Sequence, residues 1–176
     1  MSIELVVEDG TMPEGANTYA SLDTITAYLA PRGAKEWADL SDDDKAVFAI
    51  QATDFLNGLP YRGVPVASGR IMAWPQKGQR YADGTAVPEN VVPVQVVYAL
   101  CELCAFAADG RFTFRTTREE AVGALTSQNV NGVASSFAVP DSDVYKGVTG
   151  FSSVDKLLDP FLKKGGGVRV VEMGRG

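Results

Sequence analysis

The stretch 55–82 is the part of this chain best equipped for chemistry. It carries Arg62, Arg70, Lys77 and Arg80, interleaved with Tyr61, Trp74 and Tyr81, and contains no acid. Cations neutralise phosphates and aromatic faces stack on unpaired bases, so this mixture is what single-stranded nucleic acid binding uses. The same residues fit a plainer use: Tyr61 and Trp74-Pro75 anchor a long loop onto helices, and the cations face neighbouring acidic subunits. A net charge of −6 and an isoelectric point near 4.7 oppose non-specific DNA binding by the remaining surface.

Other reactive residue types lead away from catalysis. Asp42, Asp43 and Asp44 are consecutive, so on a helix they point in different directions and make a poor metal cage. At a helix start they have a structural use, because the N-terminal dipole favours anions. Cys101 and Cys104 form a CxxC in the middle of an apolar helical stretch. A redox pair needs its first thiol at a helix N-terminus, and a zinc site needs further ligands that are missing here. Two core thiols are the expectation. The chain has no histidine, which removes the usual activation of a serine nucleophile. Its glycines match no phosphate-binding loop. No catalytic residue, metal or cofactor is expected.

The elements that must position these residues follow from local signals. The fold expected is mainly α with a small β component, a compact bundle of three to four helices with a long irregular loop and an antiparallel β-hairpin. At 176 residues, 45 % of them apolar, the chain can bury one real core. Ser21 is an N-cap for a helix with Leu22, Ile25 and Leu29 on one side, ended by Pro31 and Gly33. Ser41 caps a second helix whose buried stripe reads Val47, Phe48, Ile50, Phe55 and Leu56, stopped by Asn57-Gly58. Residues 57–92 are broken by prolines and glycines, and irregular stretches this long are commonly functional. A third helix, about 91–108, is apolar on most sides (Val94, Val97, Tyr98, Cys101, Leu103, Cys104) and reads as central. Asn131-Gly132 between two short runs signals a hairpin within about 119–139. A last helix buries Val154, Leu157, Leu158 and Phe161. Residues 1–164 read as one domain and 165–176 as a flexible C-terminal arm. No apolar run is long enough to span a bilayer and the N-terminus lacks a secretory signal, so a cytoplasmic origin without membrane contact is expected.

The order Val6–Gly10, Asn17–Tyr19, Trp37, Ala52–Asp54, Tyr61-Arg62-Gly63 and Trp74-Pro75 resembles a family of tailed-bacteriophage head–tail connector (adaptor) proteins. Some relatives carry the label DnaT-like single-stranded DNA-binding protein. The resemblance covers residues 4–109 well and 119–162 loosely. It implies a structural virion protein at the head–tail interface, forming a twelve-subunit ring below the portal and extending the DNA channel towards the tail. The implied partners are other copies of the chain, the portal, a tail-side connector or tail terminator, and passing double-stranded DNA held without tight binding. Subunit or loop contacts would then come from Tyr61, Arg62, Arg70, Trp74, Lys77, Arg80 and Phe137. Portal docking would fall to Phe161, Leu162, Val168, Arg169, Val170 and Val171. Residues 1–54 hold eleven acids against three bases. An acidic wall lets a polyanion slide, which makes Asp42, Asp43 and Asp44 lumen candidates. Gln76 departs from the pattern, since relatives often have Arg after Trp-Pro, and so does the glycine-rich end. The alternative reading is a replication accessory that binds single-stranded DNA.

Overall fold

The computed structural model describes residues 3–111 and 149–163, together with the paired backbone of 127–130 and 133–136. Five α-helices run in chain order: α1 (Leu22–Leu29), α2 (Lys35–Asp39), α3 (Asp42–Asn57), α4 (Val94–Ala108) and α5 (Ser152–Leu158). Two small antiparallel ladders accompany them. β1 (Val64–Pro65) pairs with β2 (Gln76–Lys77), and β3 (Ser127–Val130) with β4 (Val133–Ser136). The architecture is therefore mainly helical with a small β component, as expected. Val130 pairs directly with Val133; Asn131-Gly132, the expected turn, lies outside the described residues.

The caps act where the sequence places them. Ser21 Oγ accepts from the Thr24 amide at 3.2 Å. Ser41 Oγ accepts from the Asp44 amide at 3.1 Å and donates to the Asp44 carboxylate at 2.6 Å, a reciprocal cap at the start of α3. α1 tightens into a 3₁₀ turn over Ala30–Arg32 and stops at Gly33, whose φ of 73° is left-handed. The chain then makes an extra short helix, α2, which was not expected. It buries Trp37, and the indole donates to Thr26 Oγ1 at 3.1 Å.

α4 is the central helix: α1, α2, α3 and α5 all pack on it. Val96, Ala99, Leu100, Cys101, Leu103, Cys104 and Ala107 are buried along it. It begins at Val94 rather than Val91 because Pro93 holds the residue before it, Val92, out of helical backbone. Being apolar on most sides does not bury every side of α4, and the stripe expected on α3 needs correction. Val94 and Tyr98 lie on the outer side of α4, 50 % and 37 % exposed. On α3 the buried face is Ala46, Ala49, Ala52, Thr53 and Leu56, while Val47, Phe48, Ile50 and Phe55 are half-buried. The small side chains let α3 approach α4 closely, and the larger ones fill its flanks. Both cysteines are free and buried. Burial pushes the Cys101 thiol up to about 12 and that of Cys104 well above its ordinary value, so neither is a nucleophile at neutral pH.

The N-terminal segment is tied to α3 and to the long loop: the Ile3 amide donates to Asp43 at 3.2 Å, and Glu8 meets Arg70. Gly10 sits at φ 108°, and a Cβ there would fall 2.0 Å from the Asn90 carbonyl oxygen. That explains Asp9-Gly10, since only glycine permits both the conformation and the approach.

Candidate functional site

The long loop folds back into the core. Trp74 is fully buried, joined to Pro75 by a cis peptide bond. Its ring meets Tyr61 edge-on at 5.5 Å and Phe161 at 5.3 Å between centroids, and Tyr81 meets Phe161 at 6.1 Å. Such edge-to-face contacts suit the ring quadrupoles. Tyr61 and Trp74 thus hold the loop down and offer no face to a base, which matches the anchoring use. Burial raises the Tyr61 hydroxyl far beyond its ordinary value. Gln76, where relatives often carry Arg, is also buried and accepts from Gln79 Nε2 at 2.6 Å. Gly63 is required beside it, since a Cβ there would lie 2.4 Å from the Lys77 carbonyl oxygen.

Two of the four cations are committed to bonds within the fold, although Arg62 remains exposed. Arg70 pairs at 2.5 Å with Glu8, a fully buried carboxylate that also accepts from the amides of Gly10 (2.9 Å) and Met12 (3.1 Å). Arg62 Nε donates to the Leu162 carbonyl at 2.7 Å, and its backbone amide donates to Phe161 at 2.8 Å. Lys77 and Arg80 are exposed. A strip of lone cations alternating with bare rings does not exist here.

Phe161 and Leu162, expected at a portal contact, are buried at 0 % and 3 %. They close the core behind α5, with Tyr61 bridging to Leu162, so they present no docking surface. Phe137, Val168, Arg169, Val170 and Val171 lie outside the described residues. Asp42, Asp43 and Asp44 occupy the first turn of α3 and are exposed, with Asp44 committed to the cap. Ten of the eleven acids in the first 54 residues are exposed, the exception being Glu8. Among the described residues no group of three potential metal ligands comes together, and no helix is long and apolar enough to cross a membrane.

Sequence reasoning overlooked one constellation. Tyr28 on α1 and Tyr98 on α4 pack with centroids 4.6 Å apart and planes tilted by 35°, and the Arg32 guanidinium lies 3.5 Å above the Tyr28 ring. Arg32 also donates to the Tyr28 carbonyl at 2.6 Å. The Tyr28 hydroxyl, pushed up to about 12 by burial and the neighbouring Glu102 carboxylate, donates to Glu102 at 2.9 Å. Beside this cluster runs a cleft of about 480 Å³ lined by Leu29, Arg32, Glu36, Glu102, Phe106 and Arg111. Arg111 lies over the Phe106 ring and pairs with Asp109. Its walls mix both signs of charge, so it is not a phosphate cradle by field alone. Only the spacing of Tyr28 and Arg32 was visible in sequence; Tyr98 is brought in by helix packing.

This mainly helical scaffold, with its loop latched into the core, can be compared with known proteins. Residues 3–176 match the model of the family described as "Putative DnaT-like ssDNA binding protein", and the chain belongs to that family. No curated protein and no solved structure matches it. The DnaT-like part of the resemblance is thereby supported, and of the two functional readings the family description favours single-stranded DNA. Nothing in the comparisons speaks for a connector family.

Proposed function

We propose that this chain is a structural virion subunit, a head–tail connector that forms a ring below a portal and prolongs its DNA channel. The observation that carries this reading is the fate of the 55–82 stretch: its aromatic rings and two of its arginines hold the fold together, while residues 1–54 expose ten carboxylates. The quoted motif residues serve as scaffold around a long loop, a use compatible with a connector subunit. Gly10 is wedged at Asn90, the Tyr19 hydroxyl donates to Asn57 at 2.5 Å, and Trp37 and Trp74 are buried. A channel wall must repel the polyanion it passes. Twelve copies at −6 each would carry on the order of −72 before screening.

The second reading, a replication accessory that binds single-stranded DNA, rests on the family description over residues 3–176. The comparisons back it better than the connector. Geometry gives it one foothold, the Tyr28–Tyr98–Arg32 cluster, in place of the loop. Both readings are non-enzymatic and need no cofactor.

Two measurements decide between them: a DNA-binding series over salt, and imaging of the protein with and without portal rings. The connector reading expects rings seated on the portal and no DNA binding tighter than about millimolar at physiological salt. Micromolar, salt-steep binding to single strands, abolished in a folded Arg32→Ala, Tyr98→Ala variant, establishes the accessory instead.

A further inference from the structure

Three stretches far apart in sequence meet around Phe161, and together they collect cations without acids. The Arg62 amide donates to the Phe161 carbonyl and the Lys163 amide to the Pro60 carbonyl, both at 2.8 Å. Val64 pairs with Lys77 across the β1–β2 ladder. Gln79 Nε2 donates to the Phe161 carbonyl at 3.4 Å, which ties the third stretch to the first two. Residues 60–65, 76–80 and 160–163 contain Arg62, Lys77, Arg80 and Lys163, and no carboxylate. All four cations are exposed, although Arg80 turns its guanidinium to the Gly84 carbonyl at 2.8 Å. The acids nearest in sequence are the exposed Asp159 and Asp83, and Asp83 is occupied in accepting from the Thr85 amide. In a chain of net charge −6, this junction has the opposite sign.

At its centre the junction is apolar. Val64 is 60 % exposed, and Pro60 and Pro65 are exposed as well. Direct partners in a ladder carry their side chains on the same side, so Lys77 stands beside Val64. A lone exposed valine is ordinary, but this one sits on fixed backbone, held by the ladder and by Gly63 pressed against the Lys77 carbonyl. Arg62 is held as well, through its Nε bond of 2.7 Å to the Leu162 carbonyl. Side chains fixed in this way lose little further entropy on docking.

The sign and the apolar centre identify what this face meets. The rings that would stack on bases are turned inward, since Tyr61 and Trp74 are buried and Tyr81 packs on Phe161. Phosphates would satisfy the cations and leave Val64 bare. A protein surface does both, with an apolar centre and charges matched around it. We propose that Arg62, Val64, Lys77 and Lys163 form a docking face for an acidic segment of another protein, its carboxylates on the cations and an apolar side chain on Val64. The inference stands beside either reading above, because it requires a protein neighbour and no DNA.

Titration of the full chain with a capped Glu-Glu-Leu-Glu-Glu peptide, followed by amide NMR, tests it. Shifts should be confined to 60–65, 76–80 and 160–163, and binding should weaken with salt. The matching Gln-Gln-Leu-Gln-Gln peptide should bind at least about tenfold more weakly, and Val64→Ala should cost the acidic peptide about threefold. Lys77 and Lys163 make no side-chain bond among the described residues, so reversing both leaves the fold intact. Lys77→Glu with Lys163→Glu should lose the acidic peptide and gain Lys-Lys-Leu-Lys-Lys, an exchange of preference that an unfolded protein cannot show. No saturable binding at about millimolar peptide, equal binding of the glutamine peptide, or shifts elsewhere overturns the proposal. So does oligothymidylate that displaces the peptide from these residues, which would make the face one for nucleic acid. Wild-type self-association that the double reversal abolishes would make it a contact between copies of this chain, and overturns the proposal equally.

Discussion

Arg70 shows how a single side chain changes meaning once its partner is known. A guanidinium in an acid-free segment suggests phosphate, yet this one neutralises Glu8, which has no access to water. Removing one member of such a pair strands the other's charge, which costs more than the intact pair contributes. Arg70→Met should therefore lower unfolding free energy by about 3 kcal/mol, read from urea denaturation at neutral pH; a loss below about 1 kcal/mol would mean that water already reaches the carboxylate. The Cys101 thiol gives a pH test. Burial raises it from 9.0 to about 12, so the folded state holds its proton more tightly than the unfolded chain. That contribution is intact below 9.0 and drains away as pH climbs towards 12. Stability should fall across that window, and Cys101→Ala should flatten part of the fall despite a lower starting value. In the native state at neutral pH both thiols should resist alkylation.

Helices and loop make separate predictions at the scale of the element. α3 depends on a reciprocal cap between Ser41 and Asp44, and Ser41→Ala should cost about 1 kcal/mol, measured by thermal unfolding with helicity as the signal. The loop, although irregular, is bonded like core. The amides of Val66, Ala73 and Val87 donate to Pro75, Asn57 and Gln79. Hydrogen exchange at these three should track global unfolding rather than the fast exchange of a free loop. Exchange at those positions as fast as at Ser68 or Gly69 would show that the latch between loop and core opens on its own. The mobility that a proline- and glycine-rich sequence suggests is thus confined, by this geometry, to the exposed tip.

For the molecule as a whole the net charge is −6, and among the described residues exposed acids crowd α1, α2, α3 and the segments around them. Wild-type protein should bind either form of DNA no better than about millimolar at physiological salt. Asp42→Lys with Asp43→Lys should raise that affinity, and should cost on the order of 1 kcal/mol in stability because cations replace anions at a helix N-terminus. If these carboxylates face a channel, phage assembled with the variant should eject DNA more slowly; ejection at the wild-type rate would leave them a capping role only.

Sequence alone determined the local facts. Ser21, Ser41, Asn57-Gly58 and Asn131-Gly132 mark element ends because caps and turns are decided by neighbouring backbone groups. The mainly helical class with one hairpin followed from them. What periodicity could not decide was which side of α3 is the inner one: alanines and phenylalanines recur along the same helix, and only the closeness of α4 selects Ala46, Ala49 and Ala52. The candidate site was still less legible. Arg62 and the Leu162 carbonyl are 100 positions apart, and Arg70 and Glu8 are 62 apart. A cation reads the same in sequence whether it awaits a phosphate or satisfies a buried carboxylate. Tertiary packing alone brought Glu8 to Arg70, Phe161 to Trp74 and Tyr98 to Tyr28, because burial and pairing depend on what the rest of the chain leaves beside each residue.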